Sequence, residues 1–172
     1  MNYYINMFFL CSFFGYLMET FLKTFIFEGM NNGILFGPWI PVYGFGAVLV
    51  IIIMRFIFNR LKISRWIKVI FLFVFSVLVL TILEFIGGML IEKFTRKIFW
   101  DYSNLRFNVG HYIALEISLV WGLFSLAFVY IFKPLVDKII KKIPRWFTIL
   151  VSVLFVIDVI ISCLSIFHIL HL

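Results

Sequence analysis

The chain has 172 residues, 65% of them hydrophobic and only 13% charged, with a formal net charge of +7. A water-soluble domain keeps a polar exterior that this composition cannot supply, which excludes soluble enzymes and soluble binding modules. The cations cluster at the ends of apolar runs rather than in a basic patch interleaved with exposed aromatics, a pattern that points to anionic lipid and excludes nucleic acid.

Apolar runs near the twenty residues needed to cross a bilayer recur along the whole sequence. They predict an all-α polytopic membrane protein, a bundle of about five transmembrane helices at 3–27, 41–59, 67–92, 112–133 and 146–168. Residues 1–172 read as a single integral membrane domain, because no connection is long enough to hold a soluble one. The first run has no charged leading region and no small-residue cleavage site after it, so it reads as a retained span rather than a signal sequence.

Span 1 carries Ser12, Gly15, Tyr16, Glu19 and Lys23 at three- and four-residue steps, which makes one polar stripe. Small and hydroxylated residues at this spacing also let membrane helices pack closely, and Glu19 with Lys23 also fits a simple i,i+4 pair. Cys11 in span 1 and Cys163 in span 5 lie inside apolar runs with no CxxC or His–Cys spacing near them. They read as small core residues, with no disulfide framework, metal or cofactor implied.

Spans 1 and 2 are joined through "NNGILFGPWIPVYGFG", residues 31–46. Gly33, Gly37, Gly44 and Gly46 permit backbone conformations that other residues resist, while Pro38 and Pro41 bar a regular helix. Irregular backbone at membrane depth must be buried or line a cavity, so Asn31, Gly37, Pro38, Pro41 and Tyr43 are candidate ligand contacts. An ordinary tight turn outside the membrane fits the same residues. The stretch lacks the GxxxxGK[ST] spacing of a phosphate loop.

Span 3 repeats the stripe with Thr81, Glu84 and Gly88, and Glu92 stands nine residues before Asp101. The polar island "FWDYSNLRFNVGHY", residues 99–112, follows. Trp100 and Tyr102 suit an interfacial aromatic belt. That leaves Asp101, Asn104, Asn108 and Gly110 unaccounted for, and these suit a lid that binds a polar ligand or seals a carboxylate cluster. Glu116 opens span 4; His111, five residues earlier, shares no helix face with it and reads as interfacial rather than as a metal ligand. Ser118, Gly122 and Ser125 form a small-residue packing face. In span 5, Asp158 is central, followed by Ser162, Ser165 and His168.

Ionisable groups inside spans are costly and mark a protein interior or a watery cavity. Glu19, Glu84 and Glu116 fall in the half of the bundle nearest the 1–2 and 3–4 connections, with Asp158 near the midplane. This convergence predicts a polar cavity lined by Glu19, Asn31, Gly37, Pro38, Pro41, Tyr43, Glu84, Glu92, Trp100, Asp101, Tyr102, Asn108, Glu116 and Asp158. Ten of the 15 cations, Arg55 to Lys68 and Lys133 to Arg145, flank the 2–3 and 4–5 connections. The positive-inside rule then puts the N-terminus in the cytoplasm and the C-terminus outside a plasma membrane, with Lys93, Arg96, Lys97 and Arg106 against the rule.

The segments "GILFGPWIPVYGFG", "EFIGGMLIEKF", "FWDYS" and "FNVGHYIALEISLVWG" resemble, in order and spacing, the type IV ABC-transporter family of CmpB-like permeases. The resemblance runs from Glu19 through Gly122 and implies a small helical membrane bundle in the bacterial inner membrane with a role in transport. With no Walker motif in the chain, it implies a separate ATPase subunit, for which "KPLVDKIIKKIPRW" is a docking candidate. Five spans rarely enclose a pathway alone, so a homodimer or a second permease is expected, beside membrane lipids. The solute would be small and polar or lipid-linked. Two other readings stay open. One is an intramembrane enzyme on a lipid-linked substrate, with Glu84, Glu92, Asp101 and Asp158 as acids and bases. The other is a non-transporting module that binds lipid or another protein.

Overall fold

A computed structural model describes residues 2–25 and 34–170, with side chains at all of these except 22–25 and 167–170. The elements are α1 (Asn2–Phe25), α2 (Pro41–Arg60), α3 (Arg65–Thr95), β1 (Asn108–Val109), β2 (Ile113–Ala114), α4 (Leu115–Ala127), a π-helical segment (Phe128–Phe132), α5 (Lys133–Ile140) and α6 (Arg145–Leu170). Pro41 opens α2, where its missing N–H costs nothing and its fixed φ suits a first helical turn. Ser64 caps α3 by accepting from the Ile67 amide at 3.5 Å. At the other end Arg96 turns left-handed at φ 54 and its amide closes on the Glu92 carbonyl at 2.7 Å.

Among the described residues, four helical stretches are long and apolar enough to cross a bilayer: Pro41–Arg60, Arg65–Thr95, Leu115–Ile140 and Arg145–Ile166. The chain is therefore a multi-pass, all-α membrane protein. The helix α1 has 24 residues, Asn2–Phe25, and the side chains of its last four lie outside the described residues.

The third of these stretches runs seven residues past the expected end at 133. Lys133 and Pro134 look like a stop in the sequence, since a proline removes a helix hydrogen bond and clashes with the preceding turn. The structure widens that turn instead: the Lys133 amide reaches five residues back to the Phe128 carbonyl, and the helix continues. The continuation is useful, because Val136 and Ile140 of α5 are buried against Met7 and Cys11 of α1 and Ala47 and Ile51 of α2. Val50, Ile57, Leu72 and Val129 form a second cluster beside it. Both clusters lie in the half of the bundle that holds the start of α1 and the end of α2. Together the two clusters make an apolar plug there.

Packing follows chain order: α1 lies on α2, α2 on α3, and α3 on α4, while α5 returns to α1. Close approach is set by small residues. Gly44 of α2 sits on Ser12 and Phe8 of α1, and Gly122 of α4 on Phe73 and Val77 of α3. Ser118 and Ser125 share the buried face of Gly122 and donate to carbonyls of their own chain segment. The last helix is peripheral, with 6% of its apolar stretch buried. It is attached to α1 by a bond from the Thr148 hydroxyl to Asn6 Oδ1 at 2.8 Å, both residues buried. Asp158 is a second anchor, and the Phe155 ring packs edge-on against Phe8, Phe9 and Trp39.

Candidate functional site

The polar island is a small folded lid. Asn108 and Val109 pair antiparallel with Ala114 and Ile113, and Gly110 turns the hairpin at φ +62, a conformation open to glycine without strain. Three of the predicted site residues hold this backbone together. Asp101 accepts from the Ser103 amide at 2.8 Å, Asn108 Nδ2 donates to the Ser103 and Leu105 carbonyls at 2.9 and 2.6 Å, and Glu116 accepts from the Phe107 amide at 3.2 Å. The hydrogen bonds from Ser103 hold the Asp101 carboxyl below the ordinary range, which suits a permanent acceptor in a turn.

The remaining side chains of the lid reach down onto α3. Tyr102 donates to Glu84 Oε1 at 2.9 Å. Burial and the neighbouring Glu84 charge hold its phenol above the ordinary range, so it stays a donor. Near the end of α3, Tyr112 donates to Glu92 Oε2 at 2.5 Å, and His111 Nε2 pairs with the same oxygen at 2.9 Å. Trp100 Nε1 donates to the Tyr112 carbonyl at 3.0 Å. Gly88 gives these rings room: a Cβ there would lie 2.9 Å from Tyr112 and 3.2 Å from Trp100. The spacing of His111 from Glu116 suggests a merely interfacial residue; in the fold its partner is Glu92, brought close by the hairpin.

On the other side of Glu84, α1 and α2 contribute a matching pair. Tyr43 lies beside Glu19, within electrostatic reach of it and of Tyr102 and Glu84. Gly15, one turn before Glu19, leaves space into which the Tyr43 ring packs. Two carboxylates and two tyrosines from α1, α2, α3 and the lid thus form one quartet, with the Trp121 ring of α4 against Tyr43 at 6.0 Å. Glu84 is 7% exposed, yet its Oε2 has no hydrogen-bond partner among the described residues. Trp121 Nε1 stands beside Glu84, outside hydrogen-bond geometry, and is likewise unpaired. Thr81 Oγ1, one turn before Glu84, is a third buried atom without a partner. A buried polar group left unmade costs about 1–3 kcal/mol; Ser12 Oγ, Ser76 Oγ and Glu116 Oε2 are buried without a partner among the described residues as well.

The predicted set therefore separates. Glu19, Tyr43, Glu84 and Tyr102 meet; Glu92 and Trp100 form a neighbouring pair with His111 and Tyr112, beside a crevice of about 10 Å³ with room for about one water. Asp158 stands apart on α6. It accepts from the amides of Phe36 and Gly37 at 3.1 and 3.0 Å and from Trp39 Nε1 at 2.6 Å, and Ser162 adds a longer bond at 3.3 Å. Gly37 is needed there because a Cβ at that position would lie 2.5 Å from the Trp39 indole. Pro38 is exposed beside this latch and Pro41 starts α2. Asn31 lies outside the described residues, as do the side chains of Lys23 and His168.

Trp39, Tyr112 and Trp121 are contributors that sequence reasoning misses, because each reads there as an ordinary interfacial or core aromatic. The signal that could find Trp121 is its indole N–H in an apolar helix one residue before Gly122, a donor in need of an acceptor. Among the described residues no group of three or more His, Cys, Asp or Glu side chains is placed to hold a metal.

A family model described as "Putative ABC-transporter type IV" matches residues 6–165 of the chain. No curated protein matches it, and no solved structure does.

Proposed function

The chain belongs to this type IV ABC-transporter family, and from that premise we propose that it is the membrane-embedded component of a transporter that binds a small polar or lipid-linked solute at the Glu19–Tyr43–Tyr102–Glu84 quartet. The observation that carries this reading is the unsatisfied chemistry beside Glu84: an acceptor, an indole donor and a hydroxyl, all buried. Groups held at such a cost in a membrane interior belong to binding or coupling more often than to packing. The quartet is contributed by three helices and a lid, so a shift of any one of them opens it. The apolar plug in the other half would meanwhile block a continuous path, which is what a gated pathway requires.

In this reading α1 is a fifth span, the N-terminus and the basic 2–3 and 4–5 connections face the cytoplasm, and the C-terminus is outside. The ATP-hydrolysing subunit is separate and docks on the cytoplasmic side, where Lys138, Lys141 and Lys142 stand at the end of α5. A second copy or a second permease completes the pathway, and the peripheral α6 is the helix with most surface left for it.

The test is a double substitution, Glu19→Gln with Glu84→Gln, which keeps shape and hydrogen bonding but removes both charges. Each charged hydrogen bond contributes about 1.5–3 kcal/mol, so solute-dependent ATPase activity of the reconstituted complex should fall tenfold or more. Yield and assembly should stay unchanged. Full activity in the double variant would remove the quartet from the transport reading.

A further inference from the structure

We propose that the turn between α2 and α3 is a binding site for the phosphate headgroup of an anionic phospholipid. The turn carries Arg60, Lys62, Arg65 and Lys68, and the sequence has no Asp or Glu anywhere from residue 29 through 83. Arg60, Lys62 and Arg65 have no ion pair or side-chain hydrogen bond among the described residues, and all three are solvent-accessible. Lys68 donates to the Phe58 carbonyl at 3.0 Å, which positions its ammonium over the end of α2 and leaves two of its three N–H groups unused.

These residues border an open groove of about 400 Å³, lined by Phe58, Ile63, Arg65 and Lys68. Two apolar walls and two cations make an amphipathic cradle. A guanidinium fork and an ammonium match phosphate oxygens, while Phe58 and Ile63 suit the glycerol and upper acyl carbons below them. The position selects a lipid over a dissolved anion. Both flanking helices are long and apolar enough to cross the bilayer, so their connecting turn lies at its surface. Trp66 is 80% exposed in the first turn of α3, as an interfacial anchor would be. Four cations without described acidic neighbours select a net-negative headgroup over a zwitterionic one, whose own ammonium they would repel.

The experiment is native mass spectrometry of the full chain, released from mixed micelles holding equal amounts of phosphatidylglycerol and phosphatidylcholine. The wild-type protein should retain phosphatidylglycerol preferentially. Arg65→Gln, at a position with no partner to lose among the described residues, should cut that preference about fivefold, and adding Lys68→Gln should cut it about twentyfold. Arg106→Gln, an exposed cation of the lid, should leave it unchanged. Equal retention of the two lipids by the wild type, or an unaltered preference in Arg65→Gln, would overturn the site. Displacement of the lipid by millimolar inorganic phosphate would overturn it too, in favour of a free-anion site.

Discussion

Replacing Asp158 by alanine should lower the melting temperature of the detergent-solubilised protein by roughly 10 °C, from a loss of about 3 kcal/mol. One carboxylate accepts the amides of Phe36 and Gly37 and the indole N–H of Trp39. Hydrogen bonds to a charged group contribute about 1.5–3 kcal/mol each, and the alanine variant leaves all three donors without that acceptor. The Phe36 amide is at an exposed site and recovers a water, which is why the expected loss stays below the full sum. The loss falls on two elements at once, since the same bonds tie the 1–2 connection to α6, beside the packing of Phe155 on Trp39. Asp158→Asn should fall between wild type and alanine, because it keeps one acceptor oxygen and turns the other into a donor facing a donor. A melting temperature unchanged in both variants, read by tryptophan fluorescence, would show that the latch adds nothing to the folded state.

Gly44→Leu should abolish recovery of monodisperse protein. The Cβ alone would overlap Ser12 Oγ and stand 2.6 Å from the backbone carbonyl of Phe8, an atom that cannot move unless α1 moves with it. Overpacking a tight interface typically costs about 1–3 kcal/mol, and a whole isobutyl group against helix backbone lies at or above the top of that range. The separation of α1 from α2 would also pull Glu19 from Tyr43. Gly87→Ala is the matched control, because nothing lies within 4 Å of an added Cβ there. It should fold as well as wild type, since alanine is the better helix former. Normal size-exclusion behaviour of Gly44→Leu would contradict the close α1–α2 contact.

These two sites also show what the sequence could and could not reveal. Helix positions are legible, since an apolar run near twenty residues has few other physical meanings. The helix α2 runs Pro41–Arg60 against an expected 41–59, and α3 Arg65–Thr95 against an expected 67–92. In the sequence Gly44 and Gly46 look like conformational devices of an irregular loop; both lie inside α2, and what matters at Gly44 is its lack of a side chain. Nothing in a single sequence separates these two uses of glycine.

Of the candidate site, the rule that buried carboxylates converge locates Glu19 and Glu84 on one side of the bundle, but it cannot supply partners. Tyr102 and Tyr43 are 59 residues apart in the chain and meet only because the lid folds back over α3. Glu116 and Asp158 obey the same rule of intramembrane charge and join other structures, one holding the lid's backbone and the other the 1–2 latch. Asp101 and Asn108 look like ligand contacts by composition, yet the hairpin's own amides and carbonyls take their hydrogen bonds first. Loop backbone near a membrane must be satisfied locally, and polar side chains are the nearest source.

The most direct test of a membrane component that borrows its motor is a gentle-detergent pull-down of the tagged chain from its native host, with mass spectrometry of everything retained. An ATP-binding subunit should be recovered in stoichiometric amount with the chain. Recovery of only further copies of the chain, carrying a bound lipid or metabolite and no ATPase, would contradict it.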